Sequence, residues 1–193
     1  MGARLFYIMG SSGSGKDTLL KMVRERMDHL PCLVAHRYIT RKPELEGENH
    51  IWVPETEFEK RVKMGAFAMH WEANGERYGI GKEIDQWLAL GINVLVNGSR
   101  EYLREAQGLY GVRLVPVLLQ VAPEKLKQRL EKRGRESLSE IEARMARDRL
   151  ISQQFPADVI RIDNNDQPEL AVDELLALIR RLSERTEISA VGA

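Results

Sequence analysis

The sequence predicts an α/β fold, a parallel sheet flanked by helices, because short apolar runs alternate with helical patterns along the chain. The runs are rich in Val and Leu and end in Gly or Pro, as strands covered on both faces do. Between them, apolar residues recur at the three-to-four spacing of a helix.

In chain order, "RLFYIMG" reads as the first strand, closing in Gly10, and Thr18 to Leu30 places Leu19, Leu20, Val23 and Met27 at helical spacing. "GINVLVNGS" and "LVPVLLQVAP" read as two further strands, and Leu170 to Leu182 as the last helix. The tail after Ser183 has little to bury and is expected to fray. Two segments interrupt the alternation. His36 to Lys82 is polar, aromatic and punctuated by glycine, while Arg129 to Arg149 is charged, with few apolar anchors, and is expected to be solvated and mobile. Both read as insertions over one end of the sheet.

The 193 residues are 43% hydrophobic and 30% charged, enough to bury one core, so residues 1–193 are expected to form a single soluble domain. Lys plus Arg and Asp plus Glu both number 29, which gives no basic excess for a nucleic-acid partner. The single cysteine, Cys32, cannot form an internal disulfide and reads as a buried filler. With no leader pattern and no apolar span of membrane length, no membrane partner and a cytoplasmic setting are the expectation. Nothing in the sequence indicates an oligomeric state.

The most specific signal is "GSSGSGKDT". Gly10, Gly15 and Lys16 satisfy G-x-x-x-x-G-K between a strand and a helix, the context in which backbone N–H groups converge on phosphate oxygens. Gly10, Ser11, Ser12, Gly13, Ser14, Gly15, Lys16, Asp17 and Thr18 are therefore the phosphate-binding candidates, and Lys16 would reach the β and γ phosphates. Asp17 is unexpected beside a nest for anions. It either complements the helix dipole or acts on a magnesium ion placed between it and the phosphates, with the Thr18 hydroxyl adjacent.

The motifs "GSSGSGKDTLL", "YITRKPE", "GENHIWV", "NGERYGI", "GINVLVNGS" and "LLQVAPEKLKQRLEKRGRE", in that order, resemble the guanylate-kinase group of P-loop kinases over roughly Leu5 to Leu182. More closely, Gly15 to Asp17, Ile39 to Arg41, Glu48 to Ile51, Ala73 to Asp85, Val94 to Arg100 and Arg129 to Glu136 resemble the ribose 1,5-bisphosphate phosphokinases of bacterial phosphonate breakdown. The resemblance implies a P-loop kinase fold with an acceptor-binding insertion at about 36–82 and a lid at about 129–149. It also implies ATP and Mg2+ as cofactors, ribose 1,5-bisphosphate as the small-molecule acceptor and 5-phosphoribosyl 1-diphosphate as the product.

Departures from guanylate kinases separate the two acceptors. The positions that help hold the nucleotide and its guanine there match His50, Met69 and Ile80 here, so the base contacts are lost, while Arg41 and Tyr78 match residues that grip the acceptor phosphate. A site stripped of groups that hydrogen-bond a base loses both its recognition and its rejection of ligands lacking one. The strand end "NGSR" carries no carboxylate where guanylate kinases have acidic residues. Either Asp17 and Thr18 place the metal, or Asn97 positions a metal-bound water; alternatively Asn97 and Arg100 face the sugar phosphate.

Phosphoryl transfer asks the protein mainly to align groups and neutralise charge. The resemblance implies that Lys16, Arg133 and Arg144 act on the moving phosphoryl group, with Arg129, Arg135 and Arg147 in the same lid and Arg135 also a substrate-binding candidate. His50 and His70 are open as phosphate ligands or bases, the three tryptophans read as packing, and Asn164 and Asn165 fit either a loop near the donor's adenine or a plain turn. Two other functions are weighed: a guanylate or nucleoside monophosphate kinase, and a non-catalytic interaction module of the same fold. A module would be expected to lose the phosphate loop, which is intact here.

Overall fold

The computed structural model describes residues 2–42, 50–134, 136–152, 155–156 and 159–191. Its elements run β1 (Leu5–Met9), α1 (Lys16–Arg26), β2 (Cys32–Val34), β3 (Arg37–Ile39), β4 (His50–Trp52), α2 (Glu55–Lys63), β5 (Phe67–Ala73), β6 (Glu76–Gly81), α3 (Glu83–Ala89) and β7 (Asn93–Asn97). There follow α4 (Leu103–Tyr110), β8 (Leu114–Gln120), α5 (Pro123–Arg133), α6 (Leu138–Ser152), β9 (Ile160–Asp163) and α7 (Pro168–Val191).

The expected parallel sheet is present. It has five strands in the order β2-β7-β1-β8-β9, every pairing parallel. β1 and β7 are buried at every residue, which is why their sequences are unbroken apolar runs rather than alternating ones. One face packs against α1 and α7 through Phe6, Ile8, Leu19, Val23, Leu175 and Ile179. On the other, Tyr7, Met9, Val94 and Val96 meet Ile84, Leu88, Leu103 and Ala106 of α3 and α4. Each such side chain contributes about 1.5–3 kcal/mol on leaving water. Cys32 belongs to the first cluster, and burial pushes its thiol up to about 12.

The helix after β1 starts at Lys16 and ends at Arg26, four residues short of the predicted end. Residues 28–30 turn instead, ahead of Pro31, whose ring disfavours a helical residue before it. The last helix runs further than expected, to Val191, so the backbone after Ser183 is helical rather than frayed. Its Glu, Arg and Ala content favours helix locally.

The segment expected as a polar insertion forms a second sheet, ordered β4-β3-β6-β5. A bulge between Phe67 and Met69 changes which face the β5 side chains take. Phe67 packs with Phe58 and Val53 on one face, whereas Met69 joins Ile80 and the core of the larger sheet on the other. The charged stretch from Arg129 is not the solvated, anchorless segment predicted from its composition. It falls in α5 and α6, which close on a small apolar cluster of Leu126, Leu130 and Ile141, with Met145 against it. One apolar pair at i, i+4 on each helix, Leu126 with Leu130 on α5 and Ile141 with Met145 on α6, docks two helices whose other faces are charged.

Candidate active site

The loops leaving the C-terminal ends of β1, β7 and β9 meet at one edge of the parallel sheet, where ligands of open α/β sheets bind. There lies a cleft of about 830 Å³, walled by the loop after β1, the cleft-facing side of the second sheet, the loop after β7 and the lid helices.

Residues 10–18 form the floor. Gly13 and Gly15 have φ of +86° and +92°, the left-handed region that glycine enters without strain. A Cβ on Gly15 would stand 2.6 Å from Asn164 Nδ2, and Gly10 has Leu119 O at 2.8 Å from the corresponding point. The Asn164 amide donates to Ser14 O at 2.7 Å, and Arg129 donates to the carbonyls of Asn164 and Asn165 at 2.8 and 3.1 Å. Asn164 and Arg129 therefore clamp the loop from outside. This gives Asn164 a structural duty that neither an adenine contact nor a plain turn anticipated. All of the phosphate-binding candidates line the cleft except Ser14, which is fully buried.

Lys16 Nζ donates to Gly10 O at 2.7 Å and Ser11 O at 2.9 Å, so the ammonium folds over its own loop. Lys16 is partly exposed by residue area, yet its ammonium sits in the loop, and removal from water lowers its pKa to about 8, with neighbouring Asp17 opposing the shift. Asp17 Oδ1 accepts from Arg37 Nη2 at 3.0 Å and from Asn97 Nδ2 at 2.9 Å. The other end of the Asn97 amide, Oδ1, is buried with no hydrogen-bond partner among the described residues. The Asp17 carboxylate and the Thr18 hydroxyl, both on the cleft wall, are hard oxygen donors of the kind that Mg2+ accepts alongside phosphates. Among the described residues no group of three or more His, Cys, Asp or Glu could hold a metal by itself.

The "NGSR" turn is explained residue by residue. Asn97 is spent on Asp17 and is not on the cleft wall. Gly98 lies so close to the Tyr7 ring that a Cβ there would sit 2.2 Å from it. The Tyr7 hydroxyl donates to Ser99 O at 3.0 Å and accepts from Ser99 N at 2.9 Å. Burial raises the Tyr7 pKa well above the usual phenol value, so the hydroxyl stays protonated. Arg100, aimed into the cleft by this turn, pairs with Asp148 of α6, whose Oδ1 also accepts from Ser11 Oγ at 2.5 Å.

In the lid, Arg133 and Arg144 both line the cleft and both reach Glu136 Oε1, Arg133 at 3.5 Å and Arg144 in closer contact. Arg147 lines the cleft as well, and Arg135 lies outside the described residues. Arg41 and Tyr78 are on the cleft wall as expected, joined by Arg37, whose guanidinium stands 5.8 Å from the Tyr78 ring centre. His50 is not on that wall. It lies on β4, one strand further out than Arg37, with its Nε2 3.0 Å from Arg41 O. His70 is exposed and also off the wall.

Sequence reasoning missed Arg37, Asp148, Glu136 and Tyr7. Arg37 was findable: Arg37, Ile39 and Arg41 share the period of a strand, so a strand assignment would have put it beside Arg41. The other three are set by tertiary contacts that local spacing does not encode.

Residues 7–150 match the model of a family described as AAA domain. The chain is 54% identical over 145 residues to the ribose 1,5-bisphosphate phosphokinase PhnN of Thiobacillus denitrificans, covering 75% of this chain and 76% of that protein. It is 48% identical to that of Pantoea vagans, covering 94% and 98%. The chain belongs to the ribose 1,5-bisphosphate phosphokinase family. Like the PhnN proteins it is a kinase. A guanylate kinase from Anaplasma phagocytophilum has the same fold, with a TM-score of 0.71 over 94% of this chain and 86% of that one, at 19% identity. The fold is thus a guanylate-kinase-like one. Among the described residues no helix is long and apolar enough to cross a membrane.

Proposed function

We propose that the protein transfers the γ-phosphoryl group of ATP to the 1-phosphate of ribose 1,5-bisphosphate, giving 5-phosphoribosyl 1-diphosphate and ADP. The bond from the γ phosphorus to the ADP oxygen breaks, and one from that phosphorus to an oxygen of the acceptor's 1-phosphate forms. The observation that carries this reading is the pairing of an intact phosphate loop with an acceptor wall of Arg37, Arg41 and Tyr78 in one cleft.

The acceptor chemistry simplifies the mechanism. A phosphate monoester has its second pKa near 6, so the attacking oxygen is already an anion at neutral pH and needs no base. His50 and His70, both off the cleft wall, are accordingly not required for proton transfer. What must be managed is repulsion between two polyanions. Lys16 and the loop N–H groups hold the donor phosphates, Arg37 and Arg41 hold the acceptor, and Arg100, Arg133 and Arg144 converge between them. Asp17 and Thr18 are the residues that would hold Mg2+, with Asn97 fixing the Asp17 carboxylate from behind the wall, and the ion would supply further positive charge against the phosphates. The carbonyls now accepting from Lys16 would give way to phosphate oxygens, a charged partner better than Gly10 O and Ser11 O.

The intact Lys16 also separates this reading from a silent interaction module, which has no use for a buried cation at the loop. The test is a coupled assay of ADP release with ATP and either ribose 1,5-bisphosphate or GMP as acceptor, with the phosphorylated product resolved by chromatography. The sugar bisphosphate is expected to be the good substrate and GMP the poor one; efficient use of GMP with none of the sugar bisphosphate would overturn the assignment.

A further inference from the structure

Trp71 is a cleft residue that the phosphate chemistry above leaves without a task. On β5 it pairs directly with Tyr78 on β6, and the two rings stack with 5.7 Å between centres and 5° between planes. The indole also stacks on Tyr102 at 5.6 Å, the residue that opens α4, so it is held between the second sheet and a helix of the larger layer. It packs against the buried cluster that contains Met69 and Ile80, themselves partners across the same two strands. The bulge at the start of β5 is what sends Met69, and with it Trp71 two residues on, to this face.

Strand register fixes the wall's composition. Ile39 pairs with Tyr78 and Arg37 with Ile80, so the inward side of the second sheet presents two aromatic rings, aliphatic Ile39 and Ala73, and guanidinium groups at the margin. Such a surface has cations for phosphate and an apolar plane between them, while the Asn74 amide that also lines the cleft sits on the turn beyond β5. A furanose ring with a phosphate at each end has the complementary pattern: anionic ends and C–H faces between. Trp and Tyr are suited to such contact because they offer large rigid apolar area at small entropic cost.

We infer that Trp71 is a specificity-determining residue, whose indole forms the wall against which the ribose ring of the acceptor packs and which closes the space a larger base-bearing acceptor needs. This rests on the ribose 1,5-bisphosphate reading given above. The contact is made in substrate and transition state alike, so its loss is a loss of uniform binding and falls on KM.

The test uses the full chain with Trp71→Ala and Trp71→Phe, steady-state kinetics at saturating ATP, and thermal melts of each protein. Trp71→Ala is expected to raise KM for ribose 1,5-bisphosphate at least tenfold while kcat stays within threefold, and Trp71→Phe, which keeps an aromatic plane, to stay within threefold on both. A second readout needs no turnover and survives if Trp71→Ala does not fold. Titrating ribose 1,5-bisphosphate without ATP should change the tryptophan fluorescence of the wild type, and that change should vanish in Trp71→Phe, which retains Trp52 and Trp87. A folded Trp71→Ala with unchanged KM, or a fluorescence response that persists in Trp71→Phe, overturns the inference and leaves the activity standing. A wild type that does not phosphorylate ribose 1,5-bisphosphate overturns both.

Discussion

Asn97 donates to Asp17 across the foot of the cleft: Nδ2 stands 2.9 Å from Oδ1, the same carboxylate oxygen that Arg37 reaches at 3.0 Å. This contact binds the phosphate loop to the strand end beside it. It explains why a carboxylate sits next to a nest built for anions, since Asp17 has a cation and an amide of its own before any ligand arrives. It also leaves Asn97 Oδ1 buried without a partner among the described residues, an arrangement suited to a bound water.

The Asp17→Asn variant separates these duties. If the carboxylate helps hold Mg2+, the Mg2+ concentration for half-maximal rate should rise by roughly tenfold. The ion pair to Arg37 should contribute little, under about 1 kcal/mol, because the Asp17 side chain is 58% exposed and water screens it. A magnesium titration at saturating ATP and sugar bisphosphate, with a denaturant melt of both proteins, distinguishes the two. An unchanged magnesium curve with a slightly lowered melt would assign Asp17 to the helix start and the Arg37 pair alone.

Glu136 is expected to act through the arginines it holds. Its Oε1 takes both Arg133 and Arg144, its side chain is only 15% exposed, and its Oε2 is buried without a partner among the described residues. Glu136→Gln keeps the shape and removes the charge that gathers the two guanidinium groups from α5 and α6. We expect kcat to fall by roughly 10- to 100-fold, with KM for ATP within a few-fold, as fits groups that act mainly in the transition state. A raised KM with unchanged kcat would mean that the arginines serve ground-state binding instead.

The phosphate loop and the strands around it were legible in the sequence because they depend on short-range rules: spacing of glycines and lysine, and unbroken apolar runs. Arg41, Tyr78 and Arg100 followed from motif resemblance and do line the cleft. What stayed hidden depends on register and tertiary packing. His50 is off the wall, on the outer strand β4 with its ring against Arg41 O, and the apolar anchors of α5 and α6 are Leu126, Leu130 and Ile141 amid many charges. Asp148 meets Ser11 across 137 positions of sequence, a distance no local pattern spans.

The clamp on the loop predicts a graded pair of defects. Gly15→Ala forces a left-handed backbone on alanine, costing about 1–2 kcal/mol, and sets a methyl group 2.6 Å from Asn164 Nδ2. Asn164→Ala avoids the strain but leaves Ser14 O buried without its 2.7 Å donor, a loss of about 1–3 kcal/mol. Both should lower the melting temperature and raise KM for ATP, Gly15→Ala the more severely. Wild-type affinity for ATP in a folded Gly15→Ala protein would show that the loop tolerates a relaxed geometry.

Lys16 gives the last prediction, because its protonation should be coupled to the ligand. Without phosphate, burial holds its pKa near 8, and the carbonyls of Gly10 and Ser11 are its hydrogen-bond acceptors. Phosphate oxygens bring negative charge against the ammonium and must raise that pKa. Binding ATP at pH 8.5, where the nucleotide phosphates are fully ionised, should therefore take up about three-quarters of a proton, and only about a tenth at pH 7. The sign for stability follows from the same depression. Between pH 8 and the ordinary lysine value of 10.5, the unfolded chain holds this proton and the folded one does not, so the Lys16 contribution to ligand-free stability should increase as pH rises through that window. Calorimetry of ATP binding in buffers of different ionisation enthalpy measures the uptake, and Lys16→Met supplies the blank, with turnover reduced by at least about 100-fold in a protein that still folds. Binding at pH 8.5 with the same proton uptake in wild type and Lys16→Met would remove Lys16 as the titrating group.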